Sequence, residues 1–194
     1  HEHLEYYSSN IIIEMVKKNK LRVFNHKFND VNGGSSQYFI CHDKSYIKNW
    51  NKNLQKVLKL ENKYKLKNEN TFKQFIKKID RNKNKLIKFL YNLKRSKKII
   101  HGYGASTKGN VLLQYFGIGN ETIDYISERN PQKFNCYTPG TKIKIISEKK
   151  SRLLNPDYYL VLPWHFKKEI LKREKNARKK RTKFIFPLPK LEIR

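Results

Sequence analysis

A chain of 194 residues that is 38% hydrophobic and 13% aromatic has the length and the apolar content for a globular domain, alone or with a helical extension. Its 44 Lys and Arg stand against 16 Asp and Glu, a net +28, but Lys is spread along the whole chain and far outnumbers Arg. That pattern argues against a dedicated, specific nucleic-acid binder and leaves salt-sensitive, non-specific binding through the Lys-rich surface as the alternative. Cys41 and Cys136 show neither CxxC spacing nor Cys/His clustering, which argues against a disulfide framework or a zinc site and suits reduced thiols in the cytoplasm. No apolar run approaches the ~18 residues of a membrane span, so no membrane partner is expected.

The chain opens on His1-Glu2-His3-Leu4, and its single methionine, Met15, falls inside a predicted helix. It therefore reads as the back portion of a longer polypeptide. Ile11 to Leu21 has the spacing of a short helix. Arg22 to Phe24 and Gln37 to Cys41 read as strands joined through a turn at Asn32-Gly33-Gly34-Ser35. From Ser45 to Lys67 the apolar positions Ile47, Trp50, Leu54, Val57, Leu58 and Tyr64 recur at helical spacing. Thr71 and Gln74 have the spacing of a capping box introducing a second amphipathic helix through Phe72, Phe75, Ile76, Ile79, Leu86, Leu90 and Leu93. Asp80 to Lys83 is expected to interrupt or kink it.

After Lys97 the pattern changes. Ile99 to His101 is an apolar strand leading into Gly102-Tyr103-Gly104, and a helix from Lys108 to Phe116 ends at Gly117. Further strands are expected at Thr122 to Ile126, Lys142 to Ile146 and Tyr158 to Leu162. A helix from Phe166 to Arg178 and a last strand from Lys183 to Phe186 follow. Strands alternating with helices give the fold class: α/β, a parallel sheet with crossover connections and flanking helices, preceded by a strand pair and an amphipathic helical segment.

Gly102-x-Gly104 ends a strand and opens a helix, where a doubly wound sheet places its ligand and helix N-terminal amides can neutralise a diphosphate. Glu128 ends the next strand, at the distance expected of a ribose-binding carboxylate. The third glycine of the dinucleotide fingerprint is absent, and Gly109-Asn110 rules out a Walker A loop. Ser106, Thr107 and Lys108 could still hold a phosphate or carboxylate. The plain alternative is a tight strand-to-helix turn.

Several segments in order resemble one family: HEHLEYYS at the start, NGGSSQYFICH at residue 32, HGYGASTKGNVLLQYFGI at 101–118, then ISERNPQKFNCYTPGTKIKI and PDYYLVLPWHFKKEI. Together they are similar to the C-terminal region of the S-adenosylmethionine-dependent sugar C-methyltransferases, which methylate a carbon of a nucleotide-linked keto-deoxysugar. The resemblance implies a three-part ancestor: a zinc-bearing N-terminal domain, a methyl-donor domain and a Rossmann-like C-terminal domain. Residues 1–44 would be the tail of the donor domain, 45–97 a helical connector and 98–194 the Rossmann-like domain. The zinc cysteines and the donor-binding glycine motif are not among these residues. S-adenosylmethionine would thus be held outside this chain, by an upstream or a separately encoded donor-binding domain, with the nucleotide-linked sugar as the other partner.

Methylating carbon requires removal of a proton next to a ketone, and a group titrating near neutrality is suited to that task. The resemblance makes His3 the base, with Glu2 and His1 orienting it or binding the sugar. Substrate contacts are expected from Gly102, Gly104, Ser106, Lys108 and Asn110. Glu128, Arg129, Asn130, Lys133 and Trp164 are expected to add more, since they follow strand ends. His26, His42 and His101 read as structural or exposed. The chain departs from the family at Ser36-Gln37, where an Arg is frequent, and at His165, where Asn is common. The other reading of the same residues is a non-catalytic nucleotide-binding module.

Overall fold

The computed structural model describes residues 5–31, 34–49, 51–175 and 182–194. The expected mixed α/β class is present, and the chain divides into two compact units, His1–Lys77 and Lys78–Arg194. The dividing point lies inside α3 (Glu69–Arg95), so the helical segment expected at 45–97 contributes to both.

The first unit carries α1 (Ser9–Lys18), an antiparallel pair β1 (Leu21–Asn29) and β2 (Ser35–His42), and α2 (Asn51–Lys63). The pairing runs from Leu21 opposite His42 to Asn29 opposite Ser35, with a bulge between Val23 and Asn25. Strand side chains alternate between faces, so Val23 and His26 would point oppositely in a regular strand; the extra residue lets both be buried. Val23 packs with Leu54 and Val57 of α2, and Ile13, Val16, Tyr38 and Leu58 close around them. The predicted helix from Ser45 starts only at Asn51. Arg22 explains the delay, because its Nη2 donates to the carbonyls of Ser45 (2.9 Å) and Ile47 (2.6 Å) and holds that stretch against the strand pair. The predicted capping box does not form either: Thr71 Oγ1 donates to the carbonyls of Tyr64 (3.2 Å) and Lys65 (3.0 Å), groups that the end of α2 leaves without helical partners. α3 runs through Asp80–Lys83 without a break.

The second unit is built on a six-stranded sheet in the order β5-β4-β3-β6-β7-β8. Its strands are β3 (Ile100–Tyr103), β4 (Tyr125–Glu128), β5 (Ile145–Ser147), β6 (Tyr158–Val161), β7 (Lys183–Phe186) and β8 (Glu192–Ile193). All pairs are parallel except β7 with β8. Alternation along the strands divides the core in two. Ile100, Ile126, Leu160 and Ile185 share one cluster with Leu86 and Leu90 of α3 and with Leu112, Leu113 and Phe116 of α4 (Thr107–Phe116). Tyr103, Tyr159, Val161, Phe184 and Phe186 form the other with Ile170 of α6 (Lys167–Arg173). Helices on both faces of a parallel sheet are the layered solution for strands buried on both sides.

β4 and β5 form nearer the C-terminal ends of their predicted runs, and α5 (Glu148–Leu153) and β8 are additions to the expected elements. The predicted helix at 166–178 begins as a 3-10 turn, Trp164–Phe166, and its distal part enters residues outside those described. Strands are added outward from β3 through β4 to β5, and then on the other side through β6 to β7. The order therefore reverses between β3 and β6, where open α/β sheets leave a crevice at the carboxyl ends. Among the described residues no helix is long and apolar enough to cross a membrane.

Candidate functional site

The crevice begins with the glycine turn. Gly102 is buried within β3, and a Cβ there would come within 2.3 Å of Ile126 Cδ1, so this glycine serves packing against β4. Gly104 adopts φ +83°, a left-handed conformation that other residues rarely take, and a Cβ there would come within 3.0 Å of the Pro163 ring. Gly109, in the first turn of α4, would place a Cβ 2.5 Å from Leu162 Cβ. It thus provides the close helix-to-strand packing that the third fingerprint glycine supplies elsewhere. Ser106 is the N-cap of α4, its Oγ accepting from the Gly109 amide at 3.1 Å.

Glu128 closes the turn. Its Oε2 accepts from the Ala105 amide (2.7 Å), and its Oε1 from the amides of Arg129 (2.7 Å) and Asn130 (2.9 Å). Burial works to raise this carboxyl's pKa, but the three amides and nearby Lys133 outweigh it and hold Glu128 below the usual carboxylate range. Lys133 Nζ donates to the Ala105 carbonyl at 2.8 Å, bracing the turn from its other side. Two further turn amides are engaged: Gly104 with the Ser127 carbonyl at 2.8 Å and Ser106 with the Gly104 carbonyl at 3.0 Å.

A cleft of about 520 Å³ lies beside this turn. Gly104, Ala105 and Ser106 form one edge, and Glu128, Arg129 and Lys133 a second. The α6 side presents Phe166, Glu169, Ile170 and Arg173, with Tyr103 and Glu148 between. An ion-pair network supports that side. Tyr103 OH donates to Glu174 Oε1 (2.7 Å) and accepts from Arg173 Nε (3.0 Å). Arg173 Nη2 reaches Glu148 Oε1 at 2.8 Å, while Arg152 bonds both Glu148 (2.9 Å) and Glu174 (2.6 Å). Burial pushes the Tyr103 phenol well above its ordinary value despite Arg173, so it stays protonated and can donate. Glu174 is held low, because Arg152 and Tyr103 overcome the cost of its burial.

Of the residues expected at a substrate site, Gly104, Ser106, Glu128, Arg129 and Lys133 border this cleft. Gly102, Lys108, Asn110, Asn130 and Trp164 are not among its lining residues. Asn130 caps the 3-10 turn Pro131–Lys133, its Oδ1 accepting from the Gln132 amide at 3.0 Å. Trp164 packs against both core clusters, and Asn110 Oδ1 is buried without a hydrogen-bond partner among the described residues. Lys108 lies close enough to His165 to add to the effect of burial in lowering that imidazole's pKa. His1, Glu2 and His3 lie outside the described residues. His101, read from sequence as structural or exposed, is buried: Nδ1 lies 2.8 Å from Ser151 Oγ, which lies 2.9 Å from Tyr159 OH, and burial brings its pKa down to about 4.

Tyr103, Glu148 and Arg173 were not foreseen. A signal existed for the α6 residues, since Phe166, Glu169, Ile170 and Arg173 follow the i, i+3, i+4, i+7 stripe of one helix face. Tyr103 stands between the two glycines, and strand alternation sends it to the face opposite Gly102. Among the described residues no group of three or more His, Cys, Asp and Glu could hold a metal ion.

Comparison with known proteins now adds to this geometry. Residues 30–189 match the family described as the C-methyltransferase C-terminal domain. The chain is 29% identical over 193 residues to C-methyltransferase NovU of Streptomyces niveus, an alignment covering 100% of this chain and 46% of that protein. The chain thus spans about half the length of this relative. With the match running from just after β1 to beyond β7 and including the glycine turn and the cleft, the chain belongs to the C-methyltransferase C-terminal domain family.

Proposed function

We propose that this chain is the acceptor-side portion of an S-adenosylmethionine-dependent C-methyltransferase of the cytoplasm, acting on a nucleotide-linked keto-deoxysugar. Family membership supports methyl transfer to carbon. The observation that carries the acceptor reading is the cleft at the reversal of strand order, with Arg129, Lys133 and Arg173 on its walls. Gly104, Ser106, Glu128, Arg129 and Lys133 contact the nucleotide-linked end of the acceptor. Gly102, Lys108, Asn110, Asn130 and Trp164 shape the turns around it. His3 accepts the proton from the carbon next to the ketone, and Glu2 and His1 orient it or bind the sugar.

The cleft does not fit S-adenosylmethionine. Glu128, the carboxylate at the position where a nucleoside ribose would be bound, is already engaged by three amides and is not open to the donor's ribose hydroxyls. The donor belongs to a separate lobe, upstream in the same polypeptide or encoded apart.

Calorimetry with a nucleoside diphosphate sugar tests this reading. Saturable one-to-one binding is expected, with no methyl transfer by the chain alone and transfer on addition of a donor-binding lobe. Absence of binding by the folded chain, or methylation by the chain unaided, would overturn it.

A further inference from the structure

A dinucleotide-type site holds its diphosphate on the free amides of the glycine turn. Here much of that position is taken up from within. Glu128 takes the Ala105 amide, the Ser127 and Gly104 carbonyls take those of Gly104 and Ser106, and the Ser106 hydroxyl takes that of Gly109. An anion entering this cleft needs another pole.

The α6 wall has one. Arg173 is fixed on three sides: Nε and Nη2 donate to Tyr103 OH, Nη2 donates to Glu148, and the guanidinium lies over the Tyr103 ring, 5.3 Å from its centroid. These contacts set the plane of the fork and leave the two N–H groups of Nη1 without a hydrogen bond among the described residues. A guanidinium of fixed plane with open donors at a cleft surface suits bidentate binding of a phosphate. The other cleft cations differ. Lys133 is engaged with the Ala105 carbonyl, and Arg129 stands on an exposed loop.

We infer that Arg173 is the anion-binding residue of this cleft and takes the diphosphate of the acceptor, with Tyr103 and Glu148 as positioning residues and the glycine turn as a wall. The inference rests on the acceptor reading above and names the chemistry of its site. Phe166, Ile170 and Pro163 give the same cleft an apolar side for the remainder of the ligand.

The test is calorimetry of the whole chain at physiological salt with inorganic pyrophosphate, and in parallel with a nucleoside diphosphate sugar. Arg173→Gln should weaken pyrophosphate by about tenfold or more, the scale of a charge-assisted hydrogen-bond pair. Arg173→Lys should restore only part of the loss, because it keeps the charge without the fork. Tyr103→Phe should weaken binding by about two- to fivefold, the scale of one positioning hydrogen bond, while leaving the charge in place. Lys149→Gln, which removes an exposed charge on α5, should change affinity by less than about twofold, the scale of a screened surface charge. If Arg173→Gln does not fold by circular dichroism, the Lys and Phe variants carry the test. Wild-type binding that survives every change at Arg173 and Tyr103, or that falls equally in Lys149→Gln, overturns the inference and leaves the acceptor reading standing. Failure of the wild type to bind both pyrophosphate and the nucleoside diphosphate sugar overturns both.

Discussion

In Lys78–Arg194 every residue of β3 is buried, and β6 and β7 are buried from their second residues onward. Among the described residues of His1–Lys77, only Val23, Leu54 and Val57 form a buried apolar centre, while Phe28, Val31, Phe72 and Phe75 are each exposed by half or more. The contrast follows from architecture. A parallel sheet covered on both faces hides whole strands, whereas a two-stranded ribbon with amphipathic helices has one narrow seam to fill. The cleft beside Gly104 is built in the first case. His1–Lys77 sets its exposed apolar side chains around a much smaller buried centre.

Substitutions can break this contrast or sharpen it. Phe184→Ala, in a fully buried position, should cost about 3–5 kcal/mol and speed hydrogen exchange of the β6 and β7 amides while leaving β1 and β2 as they were. Equal acceleration in both units would show that they unfold together. Acid should act next, through His101. Its folded pKa of about 4 lies below the ordinary value of 6.5, so the unfolded chain takes up the proton first. Stability of the sheet-bearing unit should therefore be full above pH about 6.5 and be lost as pH falls toward about 4, by on the order of 3 kcal/mol. Exchange of the β3 amides across that range reads the loss, and His101→Gln should flatten it. Phe75→Ala, at a side chain exposed by 59%, should change stability by less than about 0.5 kcal/mol. A larger cost would mean that the exposed face of α3 is covered in solution.

The sheet was legible because its strands are short apolar runs separated by turn residues and helices, a pattern that period and composition carry without tertiary information. Lys183 to Phe186 was placed to the residue. The misreadings share a cause: a long-range contact decided against a local signal. Arg22 captures the carbonyls of Ser45 and Ile47, so helical spacing there does not yield a helix. Thr71 turns back to α2 and gives up the cap its spacing suggested. At the cleft, glycines and strand ends pointed to Gly104, Ser106, Glu128, Arg129 and Lys133, because βα turns are encoded within a few residues. Arg173 could not be paired with Tyr103 in that way, since their bond spans the chain from β3 to α6. The role of Gly102 was equally hidden, resting on an Ile126 side chain from the neighbouring strand.

The carboxylate of Glu128 has one more consequence. Because the loop after β3 is tied by a group of its own chain, these amides need no ligand to complete their hydrogen bonds. A rim braced in this way costs a visiting molecule less ordering entropy than a loop that condenses only around its guest.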